Sequence, residues 1–208
     1  GQGEPVLMVH GNPTWSFYYR RAIAALRGRY RCIVPDHIGM GLSDKPADGE
    51  YSFELQQRVE DLDCLIEYLI EQQDAPRDGW TLIVHDWGGA IGAGWACRHP
   101  KRIKRIVLLN TATFPNPKQL KLPWLLRLGR DTAFGAFLIL KLNAFAGGAA
   151  RLAVTKPMSR GARQGYLAPY DSPAHRLAVL RFVQDIPLQE TDPSYSLVQQ
   201  IGEQFAQY

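Results

Sequence analysis

Asp86 stands in the stretch His85-Asp86-Trp87-Gly88-Gly89, between a short apolar run, Thr81-Leu82-Ile83-Val84, and a run of small residues that opens a helix. A side chain perched between strand and helix needs such small neighbours, because the turn is so sharp that larger ones collide. A carboxylate in that place can act as a covalent nucleophile. It can also simply cap the following helix, a position that Asp favours. The residue types alone leave both readings open.

The elements around it must decide. Val6-Leu7-Met8-Val9 reads as a buried strand, and Gly11 and Pro13 then suit a tight turn into a helix over residues 17–26. A second strand, residues 31–35, runs into the loop Asp36-His37-Ile38-Gly39-Met40-Gly41. Its glycines do not complete a dinucleotide fingerprint and read as turn residues. Ser52 is the expected N-cap of a long helix with Leu55, Val59, Leu62, Leu65, Ile66 and Leu69 on one face. The third strand leads into Asp86 and a helix over 89–98, and a fourth, Ile106-Val107-Leu108-Leu109, ends at Asn110. Strand and helix alternate throughout, which implies an α/β fold with a parallel sheet flanked by helices. Ligands of such sheets bind at the carboxyl ends of the strands, where Asn12, Asp36, Asp86 and Asn110 all fall. That placement favours the nucleophile over the cap.

After Asn110 the pattern changes. Phe114-Pro115-Asn116-Pro117 reads as a linker, followed by helices over 118–128, 132–146, 173–184 (with Ser172 as N-cap) and 194–207. This gives a core over residues 1–112, a helical cap over 113–200 and the start of a return to the core over 201–208. The cap reads as a lid over the strand ends, or else as an ordinary helical layer of the same domain.

Composition excludes several classes. The chain has 208 residues, 46% of them apolar and 21% charged, with a net charge of +4. The basicity reads as scattered arginines with no aromatic-interleaved stripe, which argues against nucleic acid as a partner. The most apolar segment, residues 133–140, falls short of the ~20 residues that a membrane span needs. Cys32, Cys64 and Cys97 lie far apart in apolar segments, so buried, reduced thiols and a cytoplasmic setting are expected, with no metal site and no cofactor.

Three motifs in order resemble the α/β-hydrolase superfamily: His10-Gly11-Asn12-Pro13-Thr14-Trp15-Ser16, the run from Pro35 to Pro46, and His85-Asp86-Trp87-Gly88-Gly89. Within it they are similar to the haloalkane dehalogenase group. The segments from Gly165 to Pro173 and from Arg181 to Pro187 resemble its branch of β-lactone decarboxylases of olefin biosynthesis. The resemblance implies an α/β-hydrolase core with an inserted helical cap, and an apolar substrate, small or long-chain. It implies that Asp86 forms an ester with the substrate, that the backbone N–H groups of Trp87 and Asn12 hold the oxyanion, and that a His activates the water that hydrolyses the ester. The Trp87 indole and the Asn12 amide are neutral donors suited to a departing halide or carboxylate oxygen. The alternatives are a core aromatic and a turn residue.

Two departures qualify this expectation. Asn110 stands where some dehalogenases place the catalytic acid, and an amide cannot steady an imidazolium. None of His10, His37, His85, His99 and His175 lies where the family keeps its base. The acid and the base, and the strands before Val6, are therefore expected to lie outside these residues, so that Asp86 here forms the ester without a means of hydrolysing it. Hydrolytic dehalogenation leads, with β-lactone decarboxylation as its rival. Epoxide hydrolysis, with Tyr166 and Tyr170 as cap-pocket acids, and non-catalytic ligand binding also stay open. For both tyrosines, packing is the simpler expectation.

Overall fold

Alternate residues of Val6-Leu7-Met8-Val9 are buried on opposite sides of β1 (Glu4–Val9), which makes this strand the spine of the molecule. Leu7 and Val9 join the larger apolar cluster, and Val6 and Met8 the smaller one around Tyr19. The computed structural model describes residues 1–112 and 122–207. Within them β1, β2 (Tyr30–Ile33), β3 (Trp80–His85) and β4 (Ile103–Leu109) form one parallel sheet in the order β2-β1-β3-β4. Val6 pairs with Thr81 and Val9 with Val84, so β1 and β3 end side by side. The chain winds outward from β1 to β2 and then returns to the other side of β1. The crevice at such a reversal is where open α/β sheets bind ligands.

Helices cover both faces of the sheet. On one lies α1 (Arg20–Leu26), preceded by a single 3-10 turn over Ser16–Tyr19 where a continuous helix was expected. On the other lie α2 (Leu55–Glu71) and α3 (Trp87–Arg98). Expected Ser52 does not cap α2. Phe53 takes a positive φ of 60°, and the helix starts at Leu55. The Leu55 N–H is held by the Asp185 carboxylate at 2.9 Å and by Ser194 Oγ at 3.3 Å. The cap is tertiary, donated from 130 residues away, which local sequence cannot show. Cys64 is exposed rather than buried, because it points away from the Leu62 and Ile66 stripe of α2.

The second half is helical: α4 (Trp124–Asp131), α5 (Ala133–Leu142), α6 (Ala144–Leu152), α7 (Arg160–Leu167), α8 (Leu177–Gln184) and α9 (Tyr195–Phe205). The expected helix over 132–146 is two helices, broken at Asn143, which adopts the left-handed conformation and donates through Nδ2 to the Tyr170 carbonyl at 3.3 Å. The helix expected over 118–128 runs from Trp124 to Asp131, and its expected start, like the linker at 114–117, lies outside the described residues. The helix expected from Pro173 opens as a 3-10 turn over Ala174–Arg176, with α8 following from Leu177, and α7 was not anticipated. α9 lies back against α3, Ile201 meeting Gly94.

Gly88 sets how closely α3 approaches β1. A Cβ there would stand 2.1 Å from the Val9 carbonyl oxygen, a backbone atom that cannot swing aside. Gly88→Ala is expected to destabilise the fold by about 2–3 kcal/mol through overpacking, measured as a lowered urea midpoint with an unchanged slope.

Candidate active site

Asp86 does not cap α3. It sits at φ 53° and ψ −131°, strained for a non-glycine residue, and its side chain makes no capping bond. Its Oδ1 instead accepts the backbone N–H of Asn12 at 2.8 Å across the β1–β3 crevice. Its carbonyl accepts from Gly89 N–H at 2.9 Å and from the Thr111 hydroxyl at 2.5 Å. The turn is thus fixed from both sides. Gly11 makes the approach possible, since a Cβ there would fall 2.3 Å from both Cβ and Oδ1 of Asp86.

Asn12 precedes a cis peptide bond to Pro13. Its side-chain Nδ2 donates to the Val179 carbonyl of α8 at 3.0 Å, while Oδ1 is buried without a partner. One N–H of the amide expected to face a leaving group is therefore engaged by the helical segment, and the Asn12 donor facing Asp86 is its backbone N–H. Trp87, half-buried at the first turn of α3, lies 5.5 Å from the Phe182 ring. At that position its own backbone N–H has no intrahelical partner. Asp36, the other acid at a strand end, closes its loop: its two carboxylate oxygens accept from Ser16 N–H at 2.6 Å and Leu42 N–H at 2.9 Å.

The cap tyrosines are engaged elsewhere. Tyr170 is buried, donates to the Thr14 carbonyl at 3.3 Å, and burial raises its hydroxyl further from ionisation. Tyr166 receives a hydrogen bond from Arg20 at 3.2 Å and packs edge-on against Phe17. These contacts fit packing and not proton donation into a pocket.

The histidines near the crevice are also fixed. His10 Nδ1 donates to the Gly11 carbonyl at 2.9 Å, and its Nε2 accepts the His37 N–H at 3.1 Å. The His37 ring in turn bonds the His10 carbonyl at 2.8 Å. With Nε2 an acceptor, His10 is neutral, and the Asp36 carboxylate 3.8 Å away forms no ionic pair with it. Burial holds His10 down at about 4 and His37 well below its ordinary 6.5. His85 stacks on Tyr18 with ring centroids 4.4 Å apart. His99 bonds Asp63 at 2.7 Å, and Arg98 and Arg102 pair with Asp63 and Glu67, so this cluster reads as an ion-pair network and not a metal centre.

Two charged groups behind the crevice were missed from sequence. Arg58 is 1% exposed, its guanidinium 3.5 Å from the Phe182 ring centroid, with Nε on the Phe53 carbonyl at 3.3 Å and both terminal nitrogens unpartnered. Burial lowers its pKa to about 10. Asp185 receives Ser194 Oγ at 2.6 Å as well as the Leu55 N–H, and burial lifts its carboxyl to about 6. A signal for Arg58 was present: it falls on the inward stripe of α2 beside Leu55, Val59 and Leu62, where a cation stands out. Asp185 carried none.

The fold and this crevice define an α/β hydrolase. The family model for the alpha/beta hydrolase fold matches residues 4–147, and the chain belongs to that family. More particularly, it is 50% identical over 203 residues to a cis-3-alkyl-4-alkyloxetan-2-one decarboxylase of Shewanella oneidensis, covering 97% of this chain and 62% of that protein. It is 39% identical over 115 residues to haloalkane dehalogenase 2 of Mycobacterium tuberculosis, covering 55% of this chain and 37% of that one. Among solved structures, an ancestral haloalkane dehalogenase superposes with a TM-score of 0.84 at 27% identity, covering 97% of this chain and 69% of its own. The chain spans less than two thirds of the length of the curated relatives it matches.

Burial of the histidine pair sets a pH dependence. His10 and His37 titrate normally when unfolded, so the stability they contribute is complete above about pH 6.5 and is lost as pH falls toward 4. Asp185 acts oppositely: raised from 3.8 to about 6, it relieves a penalty as pH falls through that window. Two groups outweigh one, so urea midpoints are expected to drop on acidification from pH 6.5 to 4, and Asp185→Asn to steepen the drop.

Proposed function

We propose that this chain carries the nucleophile and the leaving-group donors of a β-lactone decarboxylase that converts a cis-3-alkyl-4-alkyloxetan-2-one to an alkene and carbon dioxide. The observation that carries the proposal is the geometry of Asp86: positive φ, no capping role, and a carboxylate anchored through one oxygen by the Asn12 N–H. The 50% identity to the Shewanella oneidensis decarboxylase supports the choice of substrate.

The chemistry balances without an added reactant. The free carboxylate oxygen of Asp86 attacks the ring carbon that bears the ring oxygen. That carbon–oxygen bond breaks, its electron pair stays on oxygen, and the substrate becomes a carboxylate held as an alkyl ester on Asp86. The Trp87 indole and the second N–H of Asn12 Nδ2 stabilise the new charge, while the Asn12 backbone N–H stays on Asp86 Oδ1 and holds the nucleophile in line; one such donor is worth about 3–4 kcal/mol of barrier in comparable oxyanion sites. The bond from the neighbouring carbon to the carboxylate then breaks. Its electrons form the alkene and expel Asp86 as a carboxylate, and carbon dioxide leaves. No water is consumed and no base is needed on this route.

Hydrolytic dehalogenation is the second reading, favoured by the Trp87 and Asn12 donors and by the likeness to the Mycobacterium tuberculosis dehalogenase. It needs an activated water, and His10, His37 and His85 are each engaged elsewhere. The division into a core (1–112), a cap (113–200) and a return to the core (201–208), and a cytoplasmic setting, belong to the same proposal. Among the described residues no single helix is long and apolar enough to cross a membrane.

The purified protein is to be incubated with a cis-3,4-dialkyl β-lactone and, separately, with a 1-bromoalkane, following alkene by gas chromatography and free bromide. Alkene without bromide supports the proposal, and bromide without alkene selects the second reading. Asp86→Asn is expected to lower turnover by at least about 10³-fold; undiminished turnover sinks both.

A further inference from the structure

The net positive charge, expected to be scattered along the chain, is concentrated in one segment. Residues 113–165 hold nine Lys and Arg against a single acid, Asp131, while the other 155 residues hold 15 against 19. The same segment exposes Trp124, Leu125, Phe134, Phe137, Leu142 and Leu152, more than half of the large apolar side chains open to solvent among the described residues.

The two properties share a surface. α4 and α5 meet at a seam where a Cβ on Gly135 would stand 2.0 Å from the Leu128 carbonyl oxygen, and Gly129 faces Ile139 and Val183. That seam is the buried side of both helices. On α5 the residues opposite it, at helical spacing, are Phe134, Phe137 and Lys141, and the two aromatics are 62% and 50% exposed. On α4 they are Trp124, 72% exposed, Arg127 and the segment's one acid, Asp131, whose carboxylate lies 3.9 Å from Arg127 and leaves that side chain 62% exposed. α6 continues from α5 at a bend of 74° and ends in Arg151 and the 83% exposed Leu152. The bend rules out a straight span. It leaves apolar helices on the surface, rimmed by long cationic side chains whose stems can lie along the apolar face with their heads outward.

An aromatic and aliphatic face with a cationic border and almost no acids is the makeup of a helix that lies in the headgroup region of an anionic bilayer. We propose that the outer face of α4–α6 docks this protein on an anionic lipid surface, with Trp124, Phe134 and Phe137 entering the interface and Arg127, Lys141 and Arg151 pairing with lipid headgroups. This stands on the surface alone and does not depend on the reaction proposed above.

Flotation of the purified protein with phosphatidylcholine vesicles containing about 30% phosphatidylglycerol, against phosphatidylcholine alone, tests the proposal. Binding is expected to the anionic vesicles, falling about tenfold or more on neutral vesicles or at about 0.5 M salt. The triple variant Trp124→Gln, Phe134→Gln, Phe137→Gln keeps strong helix formers on the helices. It is expected to lower anionic-vesicle binding about tenfold with an unchanged unfolding temperature. Arg127→Glu with Lys141→Glu is expected to do the same. No flotation with anionic vesicles overturns the proposal, as does binding that the triple variant leaves unchanged. So does a vesicle-free dimer that the triple variant returns to monomer, which assigns the face to a second copy of the chain.

Discussion

Two backbones meet at the carboxyl ends of β1 and β3 with no room for a Cβ between them. Gly11 touches the Asp86 side chain, Asn12 donates its N–H to the Asp86 carboxylate, and Gly88 packs against the end of β1. Each contact exists because β3 returns to the side of β1 away from β2, placing two sequence-distant turns edge to edge. A strained φ at Asp86 costs on the order of 1–3 kcal/mol and persists only where surrounding structure over-determines it. Here the burial of β1 on both faces and the Thr111 bond to the Asp86 carbonyl supply that constraint.

The parallel sheet and the place of Asp86 were legible because their signals are local. Short apolar runs mark buried strands, and small residues after Asp86 mark a tight turn. What was not legible depends on partners far along the chain. Ser52 looks like the cap of α2, but the helix opens later because Asp185 and Ser194 reach its first N–H from the other end of the molecule. The apolar stretch after Thr132 reads as one helix, yet Asn143 breaks it, and its side chain finds the Tyr170 carbonyl only once the fold is formed. Asn12 was readable as a donor at a strand end, but not as one whose side chain is held by Val179.

Behind the crevice, electrostatics follow from packing. Arg58 lies over the rings of Phe53 and, more closely, Phe182, which itself lies against Trp87, so a buried cation backs the wall beside the nucleophile. Its terminal nitrogens have no partner, an arrangement that hydrogen-bond accounting alone disfavours. The nearby Asp185 carboxyl contributes charge of the opposite sign while tying α2 to the segment between α8 and α9. The same few residues thus set the local field and the position of the helical layer.

The bond from Asn12 Nδ2 to the Val179 carbonyl has a mechanical consequence. The turn that positions a donor toward Asp86 is also the latch for α8. Lifting α8 to admit a bulky guest breaks that bond, and a polar group stripped of its partner in a buried setting costs about 1–3 kcal/mol. The side chain of Asn12 thus joins the turn beside Asp86 to α8, so that one amide belongs to the crevice wall and to the helical layer above it.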